Sequence, residues 1–460
     1  MMSKNKKIMR YTVFFLLSLF ASQAVAQQEW TMRQCMQYAV THNHQVKNAE
    51  LELDSYLATK KEAIGRFLPA VDASIGIQYN FGRAIDPETN GYTNVSTFYN
   101  GYSLQASLPV FDGFNRVHAL RAAKAGVLMG HQAVRQQKDQ TALSVLQAFV
   151  DVAYYKGLVQ MATEKLEETS LLLKQTRLME EVGRKSPADV ALVESQQAEA
   201  NYELTRQQNL YTSALLELKK EMAFPLSEEL RVKSEEYIKE ESSANALQLP
   251  DSSLLTPNSS LFTLHSSLSP LHPTLQIARY QVQKTKSVWN QARAALYPSL
   301  SFGAGLNTTY YKMLHATSTT GFSKQFNNNM GEYIAATLRI PLFNRMQTLT
   351  SIRKAKNEYL MARENLELKQ LELEKLCREA WNDWQGYLKQ TQQMEKKVAA
   401  DSLAYRLTLR QFEEGLSTAI DLHTTSATLM NSKAMLLQCQ LMAIVKETLT
   451  RYYQGENIWE

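Results

Sequence analysis

Two aspartates stand in matched polar settings and are the first candidates for charge chemistry in this chain. They close the runs Ser186-Pro187-Ala188-Asp189 and Thr418-Ala419-Ile420-Asp421. Each run follows a glycine, Gly183 or Gly415, which can end a helix in the left-handed conformation without a Cβ penalty. A Ser or Thr N-cap with a carboxylate at N3 then starts the next helix, with Pro187 suited to the first helical position. Capping is therefore the minimal role of both carboxylates. His42-x-His44 could offer two metal ligands, but no nearby Cys, Asp or Glu completes a set. The pair falls in a helix interruption at residues 41–45, and we read a turn there. H-E-x-x-H, G-x-S-x-G, C-x-x-C and a phosphate-cradling glycine loop are missing from the sequence. An enzyme reading has no nucleophile–base set to rest on, and no cofactor or metal is called for.

The elements that must position these turns are long helices. All 11 prolines sit at a few breaks; none lies between residues 110 and 186, nor after residue 341. Those stretches are charged and rich in Leu, Ala, Gln, Glu and Lys, so they read as helices. Residues 112–182 make about 70 positions, or roughly 105 Å of helix at 1.5 Å per residue. In the later stretch Ile352, Ala355, Tyr359, Ala362, Leu366, Leu373, Leu376, Ala380, Tyr387, Met394 and Val398 step by threes and fours. That is the spacing of helices packed side by side, and a second partial stripe (Leu368, Leu371, Leu388) calls for another neighbour.

The chain is also written twice. Leu108-Pro109-Val110-Phe111 recurs as Ile340-Pro341-Leu342-Phe343, an offset of 232 that also carries Gly183, Ser186 and Asp189 to Gly415, Thr418 and Asp421. Phe67-Leu68-Pro69 recurs as Leu296-Tyr297-Pro298 with an offset of 229. Between these landmarks each repeat holds two alternating runs. Val71, Ala73, Ile75 and Ile77 interleave with Asp72, Ser74, Gly76 and Gln78, and Tyr102, Leu104, Ala106 and Leu108 return. The second repeat has Leu300, Phe302, Ala304 and Leu306, returning through Ile334, Ala336, Leu338 and Ile340. Period two marks strands between two different media, and about ten residues suffice to cross a hydrocarbon layer at a tilt. The expected fold class is mainly α with a membrane β-hairpin pair.

The expected organisation is a leader over residues 1–26, a first repeat over 27–224, a connecting segment over 225–273 and a second repeat over 274–460. Strands are expected near 69–82, 99–109, 298–311 and 332–341, and long helices near 112–182 and 343–414. The leader reads as a secretory signal: Lys4, Lys6, Lys7 and Arg10, then an apolar run, then Ala24-Val25-Ala26. Removing its four basic residues from the 50 leaves 46 against 45 acidic ones, so no charge argument for nucleic acid survives. Three cysteines, Cys35, Cys377 and Cys439, leave at least one thiol free. We read them as small buried helix residues, with a Cys35–Cys439 bridge as the alternative. After the leader no run nears eighteen consecutive apolar residues, so any membrane entry is by strands.

Four strands cannot close a transmembrane barrel by themselves, and open edges do not persist in lipid, so the chain must be an oligomer. The matching landmarks carry a resemblance to the TolC-like outer membrane efflux family. They are Arg66-Phe67-Leu68-Pro69, Ala295-Leu296-Tyr297-Pro298, the two strand-to-helix junctions and the Gly–Asp pairs at the helix breaks. The resemblance covers nearly all of the mature chain. It implies a homotrimer with a twelve-stranded barrel in outer-membrane lipid on a twelve-helix tunnel through the periplasm. It also implies docking on a periplasmic adaptor and an inner-membrane pump, for efflux or one-step secretion. The same resemblance places Gly183–Asp189 and Gly415–Asp421 at the periplasmic end, with Asp421 lining the narrowest part as a ring of three carboxylates. Relatives have a second aspartate three residues on; here that position is Thr424, after His423, so a double acidic ring does not carry over. The rival reading, a periplasmic coiled-coil adaptor without a pore, has no use for paired strand runs of membrane-crossing length.

Overall fold

The computed structural model describes residues 29–85, 90–94, 96–233, 272–314 and 320–459. The expected leader and most of the connecting segment lie outside the described residues. In chain order the elements are β1 (Glu29–Trp30), α1 (Met32–His42), α2 (His44–Gly65), β2 (Ala70–Asn80), β3 (Arg83–Ile85), β4 (Tyr92–Asn94) and β5 (Thr97–Phe111). They continue with α3 (Asn115–Glu181), α4 (Pro187–Met222), β6 (Arg231–Val232), α5 (Pro273–Ala294), β7 (Ser299–Met313), α6 (Phe322–Asn328), β8 (Gly331–Arg339), α7 (Gln347–Glu413) and α8 (Ala419–Tyr453). The structure is mostly helical, and α3 and α7 are both 67 residues long. Two compact units each draw on both repeats: residues 50–133 with 273–370, and residues up to 49 with 134–272 and 371–460.

The first unit is built on an antiparallel sheet in the order β2-β5-β7-β8. Directly paired residues in such a sheet share a face. Ile75 pairs with Tyr102, Ala106 with Ala304 and Phe302 with Ala336, so the apolar positions of all four strands fall together. Asp72, Gln105, Ser301 and Thr337 fall on the other face by the same register. The apolar face is uncovered along much of its length: Ile75, Ile77, Leu338 and Ile334 are 69%, 65%, 62% and 87% exposed. A contiguous apolar surface of that kind marks a contact with lipid or protein.

Both inter-strand loops hold structure that alternation alone did not suggest. The loop after β2 forms the small β3–β4 ladder, with the Arg83 guanidinium 4.5 Å from the Tyr92 ring. The loop after β7 folds into α6 because β7 runs on past its last β8 pair, Asn307–Gly331, leaving a free edge. The Gln325 amide accepts from the Tyr311 N–H (2.9 Å) and donates to its carbonyl (3.0 Å), standing in for a strand. Asn329 Nδ2 donates to the Thr309 carbonyl, and Phe322 and Phe326 pack edge-on against Tyr102.

The long helices start later than residues 112 and 343 because each is preceded by two left-handed residues. These are Gly113 and Phe114 (φ 66° and 69°) and their repeat partners Arg345 and Met346 (φ 56° and 66°). At Gly113 the geometry demands glycine, since a Cβ there would sit 2.5 Å from the Ala294 carbonyl oxygen.

The second unit has two cores. The larger gathers Met36, Ala142, Val145, Phe149, Leu218 and Leu441, and the parallel β1–β6 pair closes over it. Its lining explains why α3 contains a window of mean hydropathy 1.2 that could cross a membrane by length and composition. Asn43 makes the interruption at residues 41–45 a packed feature: its amide donates to the Glu221 carbonyl and accepts from the Gln45 N–H. His42 stacks on Tyr38 at 4.0 Å. All three cysteines are free, which removes the Cys35–Cys439 alternative. Cys35 is fully buried, whereas Cys377 and Cys439 are half-buried, as expected where α7 and α8 face solvent in a single chain. The α7 stripe is buried or half-buried apart from Leu376, 40% exposed, while Leu368 and Leu371 of the second stripe are open.

Candidate functional site

Each polar turn is a compact hydrogen-bonded device. At the end of α3 the Gly183 N–H donates to the Glu180 carbonyl and the Arg184 N–H to that of Met179, with Gly183 at φ 72°. At the end of α7 Gly415 (φ 79°) donates to Phe412, and Leu416 to Gln411. These reverse bonds satisfy carbonyls that a helix end otherwise leaves free. The helices then restart through full capping boxes. Asp189 N–H donates to Ser186 Oγ (3.2 Å) while Asp189 Oδ2 accepts from the Ser186 N–H (3.0 Å). Asp421 N–H donates to Thr418 Oγ1 (3.2 Å), and Asp421 Oδ2 accepts from the Thr418 N–H (3.1 Å) and hydroxyl (2.6 Å).

Those donors set the charge state. The Thr418 hydroxyl and N–H hold the Asp421 carboxyl below the usual carboxylate range. The Ser186 N–H and hydroxyl do the same for Asp189. Both therefore stay ionised at neutral pH, and Asp421 remains exposed. Capping engages chiefly one oxygen of Asp421, so the carboxylate keeps acceptor capacity and its full charge. Thr424 is also exposed, but its hydroxyl donates to the Ile420 carbonyl, so it adds no acid here.

One core pins both turns. Leu172, Val190, Phe412, Ala419 and Leu422 come from the four helices that meet there, and Gln196 Nε2 donates to the Ala419 carbonyl (3.3 Å). Lys185 Nζ lies 3.7 Å from the Phe412 ring. The structure thus brings the Gly183–Asp189 and Gly415–Asp421 turns into one assembly.

Sequence reasoning missed a polar set behind this core. The Tyr405 hydroxyl of α7 donates to Glu168 of α3, and Lys165 of α3 reaches Ser426 of α8. One repeat later Lys397, the 232-offset partner of Lys165, bonds Asp401 (2.6 Å) and Ser432 of α8 (2.6 Å). The matched lysines were a visible signal; the serines and the tyrosine were not, since only packing selects them.

A family model described as outer membrane efflux protein matches residues 35–223 and 264–449. No curated protein matches the chain. Among solved structures, CusC is similar with a TM-score of 0.77 at 15% identity, over 93% of this chain and 92% of that one. VceC of Vibrio cholerae has a TM-score of 0.74 at 13% identity, over 93% and 97%. MtrE of Neisseria gonorrhoeae, in its open state, has 0.71 at 15%, over 93% and 89%. At such identities the likeness is one of fold. With the family model matched through most of both repeats, this chain belongs to the TolC-like outer membrane efflux protein family.

Proposed function

We propose that this outer-membrane efflux protein is a passive export duct formed by three copies of the chain. Their sheets close a twelve-stranded barrel in outer-membrane lipid, and their helices line a tunnel through the periplasm. The observation that carries the reading is the four-stranded sheet: one face is apolar and exposed along much of its length, and its outer strands, β2 and β8, have no further strand partner among the described residues. Such edges and such a face are stable together only when more strands close the sheet and lipid covers it. A pore-less adaptor has no use for either. The exposed Leu368 and Leu371 suit a tunnel wall built from several copies.

In this reading the chain is exported by its leader, cleaved before Gln27, and each repeat of residues 27–224 and 274–460 supplies one hairpin and its helices. The Gly183–Asp189 and Gly415–Asp421 turns form the periplasmic tip, where an adaptor tied to an inner-membrane pump docks. Each turn follows its strand through one unbroken helix, which supports that placement. Three copies of Asp421 around the axis form a single carboxylate ring that favours cations and resists tight closure. Spin labels along residues 71–78 test the barrel: alternation between lipid and water is expected, and uniform water exposure in a membrane preparation overturns the duct.

A further inference from the structure

We infer that the β8 edge of one copy pairs with β2 of the next in the register Thr337–Gly76, with Ala336 opposite Ile77 and Leu338 opposite Ile75. The inference rests on the closed-oligomer reading above and adds the residue pairing of its seam. It follows from the internal duplication, whose two offsets can be checked against hydrogen-bonded pairs. Shifting β2 by 229 and β5 by 232 turns Ala70–Ser107 into Ser299–Arg339 and Asp72–Gln105 into Ser301–Thr337. Both are observed pairs of β7 and β8. The two hairpins therefore have one register, and the repeat is a structural operator as well as a sequence one.

The same operator has a second use. Within the chain the two repeats meet at the β5–β7 seam, where Gln105 pairs with Gly305, Leu104 with Leu306 and Ala106 with Ala304. Carrying β5 forward by 232 gives β8, and carrying β7 back by 229 gives β2. Because β2 and β8 are the two open edges, the image of the internal seam is a seam between copies. Gln105–Gly305 becomes Thr337–Gly76. The face assignment is an independent check, because a slip by one residue would put apolar side chains on the polar face. In the inferred register Ile75 and Ile77 meet Leu338 and Ala336, apolar with apolar, while Gly76 and Thr337 share the polar face. A slip by two would also preserve the faces, so the offsets are what select the pairing.

The flanking helices extend the seam. Inside the chain Asn115 exchanges amide hydrogen bonds with Gln291, and Gly113 lies against Ala294 and Tyr297. Their images are Gln347 against Glu62, and Arg345 against Gly65 and Leu68, of adjoining copies. Both halves are uncovered in the single chain: Leu68 is 67% exposed and Gly65 would have nothing within 4 Å of an added Cβ, while Arg345 and Gln347 are exposed on the other side. The left-handed pair at the junction is already formed at Arg345 and Met346, as it is at Gly113 and Phe114. Arg345 brings a Cβ where Gly113 has none, so the seam between copies stands slightly wider there than the internal one.

Disulfide trapping in the full-length protein tests the register. All variants carry Cys35→Ala, Cys377→Ala and Cys439→Ala, and are read in membranes after mild oxidation, on gels with and without reductant. Directly opposite Cβ atoms lie about 4.5–5.5 Å apart and diagonal ones about 7–8 Å, so only direct pairs approach disulfide reach. Gly76→Cys/Thr337→Cys is expected to link most chains into reducible trimers. Ser74→Cys/Thr337→Cys and Gln78→Cys/Thr337→Cys are expected to link few, and Leu68→Cys/Arg345→Cys supports the same seam from its helical side. Linkage through residue 74 or 78 in place of 76, in a protein of trimeric mass, overturns the register and leaves the oligomer standing. A monomeric mass with no linkage at any pair overturns the oligomer itself.

Discussion

Gly113→Ala and Gly415→Ala should have unequal effects, and the difference can be worked from clearances. Both glycines are left-handed, at φ 66° and 79°. An added methyl at either carries the cost of that conformation, about 1–2 kcal/mol. At Gly415 nothing lies within 4 Å of the new Cβ, so the cost stops there. At Gly113 the Cβ meets the Ala294 carbonyl oxygen at 2.5 Å and the Tyr297 Cβ at 2.9 Å, both rigidly attached to backbone. Forcing packed neighbours apart adds about 1–3 kcal/mol. Gly113→Ala should therefore cost about 2–5 kcal/mol, a gap of about 2 kcal/mol between the variants, or roughly thirty-fold in an equilibrium constant. The assay is the denaturant midpoint of each purified variant in detergent, followed by circular dichroism. Gly415→Ala should fall modestly below the parent and Gly113→Ala well below both. Equal losses would mean that the Gly415 turn is not open; no loss at Gly113 would refute the close approach of α5 to the strand-to-helix junction.

Asp421→Asn should fold and alter single-channel conductance or cation preference, whereas unfolding with unchanged conductance in the surviving channels would reduce Asp421 to a cap. Tyr405→Phe removes the bond to Glu168 and should destabilise by about 1 kcal/mol, with faster protease nicking at the turns; unchanged nicking would mean that the bond restrains nothing. Burial lowers the His272 pKa to about 4 from 6.5, so between those values the unfolded chain binds a proton that the folded chain refuses. Stability should accordingly fall as pH drops from 6.5 towards 4, and His272→Phe should flatten that part of the melting-temperature profile; an unchanged slope assigns it to other groups. An epitope inserted near Thr319, outside the described residues, should be reached by antibody on intact cells, and labelling only after lysis would invert the proposed topology.

Much of this protein was legible before any coordinates. Alternation from Val71 to Gln78 and from Leu300 to Leu306 specifies strands because side chains on an extended chain point to opposite sides in turn. The capping boxes at Ser186 and Thr418 are local, set by residues three apart, and the structure has every bond they called for. The 232-residue offset is a property of the string itself. Other features were decided only by tertiary structure, because they depend on partners that sequence distance hides. Alternation determines which side a residue faces but is indifferent to a slip by two, so only the folded sheet pairs Leu104 with Leu306. Helix α6 exists where a loop was expected, since its Gln325 finds the unpaired edge of β7 and its phenylalanines find Tyr102. Cys439 and Leu376 lie on helices whose periodicity is clear, yet their exposure depends on which neighbours one chain supplies. Tyr405 and Glu168, 237 positions apart, are joined only because α3 and α7 pack side by side, and nothing local to either residue specifies that contact.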